Sequence, residues 1–261
     1  MNSEPMDILP LWLFFIVSTT LGVLALECGY RMGRRSKSLL PGEKEAPVGA
    51  MVGSLLGLLA IILAFTFNLA ASRFDARRTV ILEEANAIGT TYLRAQLLPE
   101  PNQSEVCKLL SEYVDLRLSM VREGTIREGL KHSAILHEKL WQQVKRVADK
   151  SSSPFMNGFF MQSLNQVIDL HSKRVFLGLH NRIPFTIWMA LFLLELIGMV
   201  AIGYQAGLAA TRRSPMMLLM AMAFTIILFL IVDLDRSKEG FLRISQQPLL
   251  DLQQQIGQPV H

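Results

Sequence analysis

Charge is scarce in this chain. Only 18% of its 261 residues are Asp, Glu, Lys or Arg, against 51% hydrophobic ones, and the mean hydropathy is +0.32. A soluble domain carries about 25% charged residues, so this balance points away from a purely aqueous protein. Cysteine is nearly absent. Cys28 and Cys107 are the only two, too few and too far apart for a disulfide framework or a metal cluster. No polar–apolar alternation marks a strand, and neither a repeat nor a low-complexity tract is present. The chain also lacks a nucleophile elbow, a phosphate-binding glycine loop, an HExxH pair and a CxxC pair. His132, His137, His171, His180 and His261 give no metal spacing stronger than the weak pair His132 and His137. No enzyme and no cofactor are therefore expected. A net charge of +4 and a pI near 9.2 would suggest nucleic acid in a soluble protein. Here the basic residues sit beside apolar runs, where they orient membrane helices, so nucleic acid is not an expected partner.

What the chain does have is four long apolar runs. They extend from Ile8 to Leu26, Val48 to Ala71, Phe185 to Ala209 and Met216 to Val232. Each is close to the ~20 residues that cross ~30 Å of hydrocarbon. A signal peptide has basic residues before its apolar run and small residues after it. The first run instead follows Glu4 and Asp7 and ends in Glu27, Tyr30, Arg31, Arg34 and Arg35, so it reads as a retained anchor. Runs three and four are joined by ATRRSP, with Pro215 as a restart, which predicts a tight helical hairpin. The lipid bilayer is the first expected partner, and the location is the cell (inner) membrane, crossed several times. Basic residues after run one (Arg31, Arg34, Arg35, Lys37, Lys44) and in the hairpin (Arg212, Arg213) favour a cytoplasmic position for both loops. That places the N-terminus, the helical region and the C-terminus outside. Arg73, Arg77, Arg78, Arg182, Arg236, Lys238 and Arg243 flank the opposite side and favour the reverse.

Between runs two and three the pattern is helical and amphipathic. Arg77 to Leu98 continues run two without a break until PEPN at 99–102, which predicts one helix of about fifty residues, long for a helix. Asn102 with Glu105 reads as a capping box. The stripe of the helix it opens is Val106, Leu109, Leu110, Tyr113, Val114 and Val121. A second helix carries Leu130, Ala134, Trp141, Val144 and Ala148, and SSSP at 151–154 stops it. A third runs from about Phe155 to Leu179 with Leu164, Ile168, His171 and Val175 in its stripe. The expected fold is all-α. It comprises two membrane helices (1–71), an inserted extramembrane helical domain (72–184), a membrane hairpin (185–233) and an amphipathic tail (234–261).

Several residues stand out as candidates. Gly49, Gly53 and Gly57 recur every four residues in run two, continued by Ala60, Ala64 and Ala71. A face without side chains lets another helix approach closely, within the chain, between subunits or around a pore. Glu195 lies near the middle of run three, where a carboxylate is costly and marks either a polar pathway or a hydrogen-bonded partner such as Ser18, Thr19 or Thr66. Glu83, Glu84, Asn86, Asp169 and His171 form a candidate polar cluster outside the lipid. No spacing among them fixes a metal-ligand set, and pairing of Glu84 and Asp169 with Arg94 or Arg174 accounts for the same residues. Asp233 and Asp235 end run four, where acidic groups oppose the helix dipole and call for basic partners such as Arg73 or Arg77. Leu242, Ile244, Leu249, Leu250 and Leu252 give the tail an apolar side that docks on the helical domain or lies at the interface.

In run two, Phe65, Asn68, Arg73 and Phe74 follow a pattern similar to the second membrane helix of bestrophins. LAFTFNLAASRFDARR, EEANAIGTTYLRAQLLPEP (83–101), IDLHSKRV (168–175) and VDLDRSKEGFLRISQQPLLDL (232–252) together resemble the bacterial bestrophin-like family of unknown function, from about Gly49 onwards. True bestrophins are pentameric anion channels whose second helix lines a hydrophobic neck. The resemblance implies neck positions at Gly57, Ile61 and Phe65, with Gly57 standing where a bulky residue is expected. A ring of Ile61 and Phe65 would act as a dewetting gate, with Asn68 touching a permeating ion or a neighbouring helix. The expected function is a homo-oligomeric ion (anion) channel with run two at its axis and small ions as ligands. The alternative is a non-conducting membrane sensor or scaffold whose helical domain binds a partner protein.

Overall fold

The computed structural model describes residues 10–39, 45–150, 154–210, 215–236 and 240–257. The basic loop residues Lys44, Arg212, Arg213 and Lys238, and the serines at 151–153, lie outside them. Among the described residues the fold is all-helical: α1 (Leu11–Leu39), α2 (Glu45–Ala95), α3 (Asn102–Glu123), α4 (Ile126–Lys150), α5 (Pro154–Leu179), α6 (Phe185–Leu208), α7 (Pro215–Asp235) and α8 (Gln247–Gly257). Four of these, α1, α2, α6 and α7, are long and apolar enough to cross a membrane. α2 is a single helix of 51 residues. The chain divides into two compact units: Met1–Phe74 with Asn181–Arg243, and Asp75–His180 with Ile244–His261.

The first unit is organised by a close contact between α1 and α6. A side chain added at Gly29 would run into the Val200 carbonyl, and one at Gly33 into that of Tyr204. Reciprocally, Gly203 faces the backbone of Leu26 and Tyr30, and Gly207 that of Tyr30 and Arg34. Residue numbers rise together on the two helices, so they run parallel. Glycine is required at these positions because main chain meets main chain, the small-xxx-small solution to packing helices where lipid offers no hydrophobic drive. α7 runs antiparallel to α1, with Phe15 edge-on to Phe229 at 5.9 Å and Gly22 opposite Ala221. Leu59 and Leu63 of α2 join Phe14, Trp188, Leu191, Leu228 and Ile231 in the main apolar cluster.

In the second unit the C-terminal part of α2 packs with α3, α4, α5 and α8 around Ile88, Leu110, Tyr113, Leu140, Leu164 and Leu249. α3 passes to α4 through Gly124, whose φ of 70° is the left-handed helix stop that favours glycine. Three local expectations are corrected here. Asn102 does not cap α3. Pro101 is the N-cap residue, Asn102 donates to Gln143 Oε1 at 3.1 Å, and the Glu100 carboxylate takes Ser104 Oγ at 2.7 Å instead. Val121 is exposed, and Met120 takes the buried place. On α4 the buried stripe is Ser133, Leu136, Leu140, Val144 and Val147. Of the expected stripe, Val144 is buried and Trp141 packs against the core, whereas Ala134 and Ala148 face water, which their small side chains allow without penalty. The tail contributes Leu249 and Leu252 to this core, while Leu242 and Leu250 stay exposed.

Candidate functional site

Within the apolar stretch of α2, Val52, Leu59, Leu63, Thr66 and Ala70 are buried, a helical spacing that fixes which side packs into the first unit. The other side carries Gly53, Gly57, Ile61, Phe65 and Asn68, all exposed. Ile61 is 56% and Phe65 73% exposed, and a Cβ added at Gly53 or Gly57 would meet nothing within 4 Å. Gly49 differs, since a Cβ there would lie 2.7 Å from the Gln205 amide nitrogen. Among the described residues this face of α2 is therefore a stripe without partners in its own chain. It is small at Gly53 and Gly57, bulky and apolar at Ile61 and Phe65, and polar at Asn68. An amide facing hydrocarbon is unfavourable, so Asn68 argues that the stripe meets water or protein.

Glu195 is 3% exposed, and its Oε1 has no hydrogen-bond partner among the described residues. Asp233 and Asp235 are also buried. Asp233 accepts the backbone N–H groups of Phe241 (2.8 Å) and Leu242 (3.1 Å). Asp235 accepts the N–H of Ile183 at 3.1 Å and lies 3.8 Å from the Arg182 guanidinium, which also donates to the Asp235 carbonyl. A helix C-terminus that would repel these carboxylates is thus offset by donors from the neighbouring loops.

The polar cluster of the second unit centres on Glu84, which is fully buried. Arg117 Nε lies 3.1 Å from Oε1, Arg174 pairs with Oε2, and Tyr113 donates to Oε1 at 2.9 Å. Burial alone would raise the Glu84 carboxyl, but Arg117 and Arg174 hold it below the usual carboxylate range. Because the Tyr113 hydroxyl proton goes to Glu84, His171 Nδ1, 3.0 Å from the same oxygen, is the donor to it and carries its proton there. His137 stacks edge-on to His171 at 4.8 Å. Burial and the Arg117 charge lower both imidazoles to about 4, so both are neutral at pH 7. Glu83 pairs with Lys173 at 2.7 Å. Asn86 and Asp169 are exposed and take no part. Among the described residues no group of three or more His, Cys, Asp or Glu could hold a metal ion.

Sequence reasoning missed Tyr113, Arg117, His137 and Arg182. They lie on other helices or loops, and no local spacing links them to their carboxylates. It also missed Gly29 with Gly33 and Gly203 with Gly207, although both pairs have the GxxxG spacing, the first just beyond run one and the second inside run three.

No curated protein matches the chain. Its fold is similar to the crystal structure of a bacterial bestrophin homologue from Klebsiella pneumoniae carrying a point mutation. The TM-score is 0.64 at 12% identity, over 93% of this chain and 96% of that one. The family model of the bestrophin-like domain matches residues 15–249. With four membrane-competent helices and this match across nearly its whole length, the chain belongs to the bestrophin-like family.

Proposed function

We propose that the protein is a subunit of a homo-oligomeric ion channel of the cell membrane, with the exposed stripe of α2 facing the axis. The observation that carries this reading is the stripe itself. It has no partner among the described residues of its own chain, it is small at Gly53 and Gly57, and it sets Asn68 in an otherwise apolar stretch. Copies of the chain around an axis would cover it and give Asn68 water or protein. Membership of the bestrophin-like family and the fold shared with a bacterial bestrophin homologue support the same arrangement. Ile61 and Phe65, about one turn apart, then form an apolar constriction, which resists ions because water leaves it and an ion does not shed its hydration cheaply there. Passive flow of small anions follows from the resemblance to true bestrophins.

The test is flux through liposomes containing the purified protein, compared with the Ile61→Ala/Phe65→Ala double substitution. Because both side chains are exposed within the subunit, their removal opens no cavity in its core. Flux should rise severalfold, with oligomer mass and melting temperature unchanged. A clear drop in melting temperature with no flux from either protein would overturn the channel.

A second reading, a scaffold that holds a partner protein, draws on a groove of about 700 Å³ on the second unit. It is lined by Leu116, Ile135, Leu136 and Leu250 with Asp115, Arg122 and Lys139. Total absence of flux together with an intact oligomer would favour it.

A further inference from the structure

We propose that Ser18, Glu195 and Thr225 form a binding site for one dehydrated monovalent cation, of the size of sodium, inside the first unit. The register of three helices places these residues on one level. A Cβ at Gly22 would lie 3.7 Å from Ala221 Cβ and 3.9 Å from Met199 Cγ. Ser18 is one turn before Gly22 on α1, Glu195 one turn before Met199 on the parallel α6, and Thr225 one turn beyond Ala221 on the antiparallel α7. One turn further on, Phe14 meets Phe192 at 5.8 Å. The polar level therefore separates two apolar clusters, one containing Leu26, Met199 and Ala221, the other Phe14, Leu191 and Leu228.

All three residues are more than nine-tenths buried, at 6%, 3% and 0% exposed. Ser18 Oγ, Glu195 Oε1 and Thr225 Oγ1 each have no hydrogen-bond partner among the described residues. Buried polar atoms of this kind are costly and call for a specific explanation. Three buried, unpartnered oxygens on one level of the bundle are of the donor type that suits a hard cation. One carboxylate balances one positive charge. A divalent ion would leave an uncompensated charge in a low-dielectric interior, and an anion would be repelled. The site belongs to a single chain and involves none of the exposed stripe residues of α2, so it stands apart from the conduction reading.

Equilibrium binding of radioactive sodium to the full-length protein in detergent tests this, alongside melting temperature in sodium chloride and choline chloride at equal ionic strength. One sodium ion per chain should bind, with a saturable rise in melting temperature. Glu195→Gln should abolish both, and Ser18→Ala and Thr225→Val should each raise the half-saturating concentration tenfold or more. Ile61→Ala/Phe65→Ala should leave binding unchanged. Absence of saturable binding to the wild-type chain overturns the site, as does binding that survives Glu195→Gln. Should Glu195→Gln fail to fold, the serine and threonine variants decide: unaltered half-saturation in both overturns it.

Discussion

The Glu84 cluster joins a fully buried carboxylate to two guanidiniums, a tyrosine and two neutral imidazoles. Its pH dependence follows from the sign of the histidine shifts. His137 and His171 titrate near 4 in the folded protein, below the ordinary 6.5. The unfolded chain therefore takes up protons first as pH falls. The stability these histidines confer is complete above about pH 6.5 and is lost progressively towards pH 4. Because both rings are partly exposed, the loss is on the order of 1 kcal/mol for each. The melting temperature should decline between pH 6.5 and 5, above the range where ordinary carboxylates titrate. His137→Phe should make that decline shallower, and an identical slope in the variant would remove the histidines from the account. This cluster was only half legible in the sequence. Glu84, His171 and Arg174 are separable from the bulk as polar residues on apolar helix faces. Tyr113 and Arg117 reach Glu84 from α3, and the sequence holds no record of which face of α3 turns towards α2.

At the level of elements, two glycine patterns have opposite surroundings. Gly29, Gly33, Gly203 and Gly207 seat α1 against α6 backbone to backbone, whereas Gly53 and Gly57 of α2 face nothing among the described residues of their own chain. Gly29→Ala should thus lower stability, by roughly 1–3 kcal/mol, the range of overpacked cores. Gly53→Leu should leave the subunit's fold intact and act only on assembly. Thermal unfolding and detergent-solubilised mass of both variants check this, and equal destabilisation by the two would contradict it. The membrane helices themselves were the most legible part, because length and apolarity are all the bilayer demands. The buried face of α4 and the cap of α3 were not. Small residues such as Ala134 and Ala148 suit either face, and Pro101 and Glu100 displaced the capping pair that Asn102 and Glu105 suggested.

For the whole molecule, chain order and helix direction make a prediction about sidedness. α1 and α6 are parallel and α7 antiparallel to α1, which suits a chain crossing the membrane four times in alternation. Residues after α7 then return to the side from which α2 emerges, in keeping with Leu249 and Leu252 lying in the core that the end of α2 helps to build. In a background lacking Cys28 and Cys107, single cysteines at Ser119 and Gln253 should react with an impermeant reagent from the same face. A cysteine at Ser36 should react from the other. Labelling of Ser119 and Gln253 from opposite faces would end the four-span arrangement. The bestrophin-like fold was legible in sequence because its signature segments are spread along the chain; the parallel pairing of α1 with α6 was not, since it joins residues about 170 positions apart in a way no local pattern encodes.

The α1–α6 seam has a consequence for how the sequence can drift. Most packed pairs tolerate paired change, one residue growing as its neighbour shrinks, and so leave correlated substitutions among descendants. Here a new side chain at Gly29, Gly33, Gly203 or Gly207 strikes main-chain atoms that every amino acid carries alike. No substitution on the opposite helix makes room for it. These four positions are consequently expected to stay glycine together or to be lost together with the seam, and to show no pairwise covariation for a contact-inference method to detect.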